Sequence, residues 1–164
     1  MAMKQELPYS YELLTAKDDA AVAGLVRTNL KSHHLDIPGT AYFDDGLDHL
    51  SRFYAHPSRA YYVLKENGRL IGGIGLAECG FLPECCELQK LYLDDSVKGR
   101  GIGYRMIAFI EEKARDLGYK RIYLETHTNL QAAIHIYERS GYTEISRPES
   151  VIHSTMNRFY LKEL

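Results

Sequence analysis

Residues 87–104, ELQKLYLDDSVKGRGIGY, constrain the fold most tightly. An apolar, alternating run through Leu88, Leu91 and Leu93 ends at Asp94-Asp95-Ser96. The short loop Lys98-Gly99-Arg100-Gly101-Ile102-Gly103 follows, and a helical pattern starts at once. A strand passing through a glycine-rich turn into a helix aims several backbone N–H groups and the positive end of a helix dipole at one point. Such a point suits a phosphate or pyrophosphate. The competing reading is a tight turn that takes glycine for its backbone angles alone. Two familiar loops are excluded: no Lys-Ser or Lys-Thr follows the last glycine as in a Walker loop, and G-x-G-x-G replaces the G-x-G-x-x-G of a dinucleotide fold.

The rest of the chain is ordered around that stretch. A first strand over 9–14 is rich in aromatic and apolar residues. Thr15, Asp18 and Asp19 signal a helix start, and Val22, Leu25, Val26 and Leu30 mark one helical face over 20–30. The run SHHLDIPGTAYFDDG keeps no period and is long enough to suggest a functional loop. Helical spacing returns over 47–55 and ends at His56-Pro57. Strands over 60–65 and 70–76 flank Asn67-Gly68, a hairpin signal. Gly72, Gly73 and Gly75 in the second of them point to a bulge, a close approach by backbone or ligand, or a crowded sheet centre.

A third strand covers 86–93. After the loop, Ile102, Met106, Phe109, Ile110, Ala114 and Leu117 line one face of a helix closed by Gly118, with Lys113 and Arg115 near its negative end. A strand over 121–126 leads to Asn129, placed as the N-cap of a short helix through Ala132, Ala133, Ile136 and Tyr137 that stops at Gly141. Strands over 142–145 and 157–161 close the chain. Hairpins require antiparallel pairs, and the strand–helix–strand from 86 to 126 requires a parallel crossover. The expected fold is α/β (α+β): a mixed, mostly antiparallel sheet flanked by helices, in one domain over 1–164.

Composition narrows the function. With 164 residues and 45% apolar content the chain can build a core, and a net charge of −2 gives no electrostatic case for nucleic acid. Cys79, Cys85 and Cys86 lack the spacing of a zinc site or redox pair, so free thiols in a reducing compartment and no metal are expected. MAMKQELPYSYELL has no apolar leader core, and no run approaches a membrane span, so a cytoplasmic protein without a membrane partner is expected.

LYLDDSVKGRGIGYRMI resembles motif A of the GCN5-related N-acetyltransferases (GNAT), whose loop usually reads Gln/Arg-x-x-Gly-x-Gly/Ala. RIYLETHTNLQAAIHIYERSGYTEI resembles the family's motif B, with its strand, asparagine, helix and Tyr-x-x-x-Gly-Tyr/Phe ending. Before residue 60 only the element order carries the resemblance. Lys98 departs from it, standing where the family usually has Arg or Gln; lysine keeps the charge and loses the planar fork.

The resemblance implies the acyl-CoA N-acyltransferase fold, acetyl-CoA as cosubstrate, and acetyl transfer to a primary amine of a small molecule or peptide in a ternary complex. It implies that the backbone N–H groups of Gly99, Arg100, Gly101, Ile102 and Gly103, with Lys98 and Tyr104 nearby, hold the pyrophosphate. The strand edge at Leu91, Tyr92 and Leu93 would pair with the pantetheine arm as an added strand does. Asn129 would reach the pantetheine or acetyl region, or serve as a plain helix cap.

Amine attack on a thioester needs a neutral nucleophile, a stabilised oxyanion and a proton donor for the departing thiolate. Tyr137 matches the motif B tyrosine that serves as the acid; its spacing also fits a core aromatic. The resemblance gives the carbonyl to the backbone N–H of Leu93 or its neighbour. Glu87 stands where some members carry a catalytic glutamate, and reads as general base or as a solvated carboxylate. Glu78 and Glu125 are the other carboxylates for the base, and His127 and His153 are further proton carriers or surface histidines. Asp36, Asp44 and Asp45, beside Tyr42 and Phe43, suit a cationic amine or face water. The competing classes are a non-catalytic acetyl-CoA-binding module and a plain nucleotide binder. The closing strand pair offers an edge for a homodimer.

Overall fold

A computed structural model of the chain describes residues 8–151 and 154–164, so His153 lies outside the described residues. Among these, seven strands form one sheet in the order β1-β2-β3-β4-β5-β7-β6. The strands are β1 (Tyr9–Leu13), β2 (Ala60–Glu66), β3 (Arg69–Glu78), β4 (Cys85–Leu93), β5 (Arg121–Thr126), β6 (Thr143–Ile145) and β7 (Arg158–Glu163). The helices are α1 (Asp19–Ser32), α2 (Leu50–Tyr54), α3 (Ile102–Asp116) and α4 (Gln131–Arg139). Every pairing is antiparallel except β4 with β5, which α3 connects as a crossover. The expected mixed, mostly antiparallel sheet flanked by helices is present. None of the described helices is long and apolar enough to cross a membrane.

Local chemistry explains the framework. Asn67 and Gly68 both take positive φ (52° and 76°), the conformation a two-residue hairpin turn needs between β2 and β3. Gly118 (φ 89°) ends α3: its N–H donates to the Arg115 carbonyl and that of Tyr119 to Ala114, which satisfies carbonyls the last turn leaves open. The buried stripe of α1 (Val22, Ala23, Val26, Leu30) packs with Leu47, Leu50, Tyr54, Tyr61 and Val63. A second apolar cluster joins Ile102, Met106, Ile107 and Ile110 of α3 to Ile71, Ile74, Leu76 and Leu88 of the sheet.

The glycines of β3 have two reasons. A Cβ on Gly73 would stand 2.3 Å from the Tyr61 hydroxyl, and one on Gly75 would stand 2.6 Å from the same ring. Tyr61, fully buried, lies across the strand where side chains would otherwise project, and its hydroxyl donates to the Lys90 carbonyl (2.8 Å). The register also slips there: Gly73 pairs with Tyr92 and Gly75 with Gln89, so Lys90 and Leu91 together oppose Ile74. Lys90 takes φ 50°, and the result is a bulge in β4.

Two expectations need correction. The span 47–55 is not one helix: a 3-10 turn over Leu47–His49 precedes the five-residue α2. Asn129 does not cap α4. The Leu130 N–H bonds to the His127 carbonyl, a tight turn that delays the helix until Gln131 and moves the N-cap to Leu130. The Asn129 amide instead donates to the His33 carbonyl (3.0 Å), tying the start of α4 to the end of α1.

Candidate active site

The two parallel strands open into a wedge. They pair only at Cys85↔Arg121, Cys86↔Ile122 and Glu87↔Tyr123. Beyond Glu87, β4 runs on to Leu93 and β5 to Thr126 with no pairing between them, while β3 and β7 hold their outer sides. A cavity of about 950 Å³ fills the opening, lined by β4 from Glu87 to Leu93, the glycine loop, the first two turns of α4, and the 39–44 loop behind α1. The bulge decides what β4 shows to it. Shifting a strand by one residue exchanges its faces, so Tyr92 joins the α1 side of the sheet while Leu91 and Leu93 pack towards α3.

At one end of the wedge the lining is backbone. Gly99 (φ 81°) and Gly101 (φ 72°) are left-handed, and a Cβ built on either would meet nothing within 4 Å. Space is therefore not what excludes a side chain there; backbone conformation is. The N–H groups of Gly99, Arg100 and Gly101 donate to no described residue, and Gly101 stands at the positive end of the 15-residue α3. Gly103 has a different reason: its Cβ would come within 2.9 Å of Ile136, so its smallness lets α3 approach α4.

The charged side chains of the loop are engaged within the protein. Lys98 pairs with Asp95 (2.6 Å), and Arg100 forms a forked pair with Glu66 at 2.6 and 3.2 Å. Leu91, Tyr92, Leu93, Lys98, Gly99, Gly101, Ile102, Gly103 and Tyr104 all line the cavity; Arg100 and Asn129 do not.

At the other end the lining is side chains. Burial, reinforced by Glu125 across the wedge, pushes the Glu87 carboxyl up to about 7, against the pull of Gln89 and Lys90. Gln89, two residues along β4, donates its amide N–H to Glu87 Oε2 (3.3 Å) and accepts from the Tyr54 hydroxyl (2.7 Å). Glu125 accepts from Tyr123 (3.0 Å). Glu78 lies outside the cavity, and Arg59 grips it so closely that its carboxyl falls to about 2. His127 is turned to the Asn129 N–H and lines no part of the cavity. Of the loop acids, Asp44 is brought to the cavity, 3.8 Å from the Lys90 ammonium, while Asp36 and Asp45 are not.

Tyr137 is a core aromatic, as its spacing allows. Its ring packs on Tyr142 and Tyr160, yet its side chain lines the cavity and its hydroxyl bonds to no described residue. Burial pushes that hydroxyl above the ordinary tyrosine range, so it keeps its proton at neutral pH. Gln89, Gln131 and His135 line the cavity and Tyr54 bonds to Gln89, and sequence reasoning missed all four. Only Gln89 left a trace: a strand places residues two apart on one face, which sets it beside Glu87.

Known proteins share this fold. The profile of the acetyltransferase (GNAT) family matches residues 27–142. The uncharacterized N-acetyltransferase YjgM of Escherichia coli (strain K12) is 36% identical over 134 residues, 80% of each chain. A GNAT-family acetyltransferase from Staphylococcus aureus Mu50 superposes with a TM-score of 0.83 at 19% identity, over 94% of this chain and 98% of that one. The PaiA N-acetyltransferase of Thermoplasma acidophilum, solved in complex with coenzyme A, gives 0.75 at 16% identity, over 95% and 99%. The chain belongs to the acetyltransferase (GNAT) family and is an N-acetyltransferase.

Proposed function

We propose that the enzyme transfers the acetyl group of acetyl-CoA to a primary amine of a small molecule or peptide, by direct attack within a ternary complex. The observation that carries this reading is a carboxyl held near neutrality, Glu87, on a wedge-shaped cavity that Tyr137 also lines. A base poised near the working pH is the condition for taking a proton from an ammonium. Acetyl-CoA is the cosubstrate and supplies the activated acyl group.

The residues present fit it. The free N–H groups of Gly99 to Gly103 and the start of α3 would hold the pyrophosphate, with Lys98 and Tyr104 beside them. Arg100 contributes its backbone alone, because its guanidinium is committed to Glu66. The unpaired edge of β4 at Leu91, Tyr92 and Leu93 would bond the pantetheine arm as a missing strand would. Asn129 plays no direct part in this reading, since its amide is spent on His33.

Glu87 then takes the amine proton, directly or through water. The backbone N–H of Leu93 or its neighbour polarises the thioester carbonyl as its oxygen gains negative charge. Tyr137 gives its proton to the departing sulfur. Asp44 and Glu125 make the acceptor side of the cavity favourable to a cationic amine.

The test is thiol release from acetyl-CoA over a panel of polyamines, amino acids, aminoglycosides and peptides with free α- or lysyl amines. At least one amine should give thiol and acetylated product in equal amounts. Tight acetyl-CoA binding by calorimetry with no release across the panel would leave a binding module and overturn the reading.

A further inference from the structure

Glu87 is not held by its own strand alone. Its Oε2 receives the Gln89 amide N–H at 3.3 Å, and the other end of that amide is fixed, because Oε1 accepts the Tyr54 hydroxyl at 2.7 Å. A free glutamine side chain presents either amide atom to a neighbour. An ionised Glu87 can only accept, so the amide N–H faces it and Oε1 is left to accept from the Tyr54 hydroxyl. Tyr54 is itself held: it is 7% exposed, its ring packs at 5.1 Å from Tyr61, and it reaches β4 from α2. The relay therefore runs from a buried helix residue, through one amide, to the carboxyl that faces the cavity.

We propose that Gln89 is a positioning residue of acetyl transfer, clamped by Tyr54 so that its amide N–H orients the Glu87 carboxylate and favours its ionised form. The proposal rests on Glu87 as the general base. Its premise is geometric: the amide N–H reaches Glu87 Oε2 on the cavity wall at 3.3 Å while the Tyr54 hydroxyl holds the other amide atom at 2.7 Å. Charge-assisted hydrogen bonds stabilise the ion they reach, and one at 3.3 Å sits at the weak end of their range. Removing it should raise the pH at which Glu87 ionises by about one unit.

Other titrating groups surround Glu87 and must be separated from it. Glu125 and Tyr123 face it from β5, Tyr54 from α2, Cys79 from beyond the end of β3, and Lys90 and Cys86 from β4 itself. Cys79 matters most, because the neighbouring Cys85 thiol draws its own down to about 7, into the same range.

The experiment follows the carboxyl carbon of Glu87 by NMR in protein labelled with [δ-¹³C]glutamate, in a Cys79→Ser background, with Glu87→Gln to assign the signal. Gln89→Met keeps the volume and removes the donor; its Glu87 carboxyl should titrate about one unit higher. Turnover of acetyl-CoA with the best amine of the panel should fall about fivefold at pH 7 and recover by pH 9, which a packing defect would not do. Should Gln89→Met fail to fold, Tyr54→Phe releases the same amide and should move the titration in the same direction by less. An unmoved titration, or a rate loss equal at pH 7 and pH 9, overturns the proposal. Full turnover in Glu87→Gln would instead sink the base assignment, whatever the titration shows.

Discussion

The two ends of the wedge are built from different materials. The loop end offers backbone: left-handed glycines, N–H groups without partners, and the start of α3, with its charged side chains tied to Asp95 and Glu66. The far end offers side chains from separate elements, Glu87 and Gln89 on β4, Glu125 on β5 and Tyr137 on α4, with Tyr54 of α2 bonded to Gln89. Backbone sites tolerate most substitutions but fail when a φ angle is lost. Side-chain sites fail one atom at a time. The two ends should therefore break differently.

The sharpest separation is kinetic. Tyr137→Phe and Glu87→Gln should each lower kcat about a thousandfold, the loss expected for one proton-transfer group, while acetyl-CoA affinity measured by calorimetry stays within about twofold. In the wild type, kcat/KM should rise through about pH 7 as Glu87 ionises. A parallel loss of affinity in either variant would mean that the two ends are not independent.

Stability gives the next test. The Glu87 carboxyl ionises near 4.5 when exposed and near 7 in the fold, so the folded state holds a proton that the unfolded state has released. Stability is therefore lost as pH climbs from about 4.5 to about 7 and is level above that, for this group. Glu87→Gln abolishes the slope. Its thermal midpoint relative to wild type should be higher at pH 8 than at pH 4, by the equivalent of about 3 kcal/mol at most. A difference that does not change with pH would show that Glu87 is not perturbed.

Gly101→Val attacks the other end. A branched residue at φ 72° costs about 1–2 kcal/mol, so either the loop distorts or the strain remains. Acetyl-CoA affinity should fall about tenfold or more, with the pH at which Glu87 titrates unchanged. Retained affinity would remove the loop from the cofactor site.

How far each end was legible in the sequence follows the same division. A glycine loop between a strand and a helix is a local pattern, and Gly99, Gly101 and Gly103 could be placed without knowing any distant residue. The alternation expected of β4 is broken in the fold. Leu88, Leu91 and Leu93 do not keep a period of two, and the odd step between 88 and 91 is where Lys90 bulges. Read as a plain strand, it hid the turn of Tyr92 to the face shared with Glu87 and Gln89. The Tyr54–Gln89 contact spans 35 residues and depends on a five-residue helix at the end of an irregular loop. No local period reports such a contact. Asn129 shows the opposite error: a residue type suited to capping was read as a cap, when a turn one residue longer sent its amide to α1.

Arg100 provides the smallest effect. It is the one cation inside the G-x-G of the loop. Its fork is occupied by Glu66 on β2, and the pair is exposed to solvent, where such bridges contribute only about 0–1 kcal/mol. If the pyrophosphate is held by backbone, Arg100→Ala should change acetyl-CoA affinity by less than about threefold and leave its salt dependence intact. A larger loss that grows at low ionic strength would mean that the guanidinium leaves Glu66 for the cofactor. The loop end would then be a side-chain site like the other.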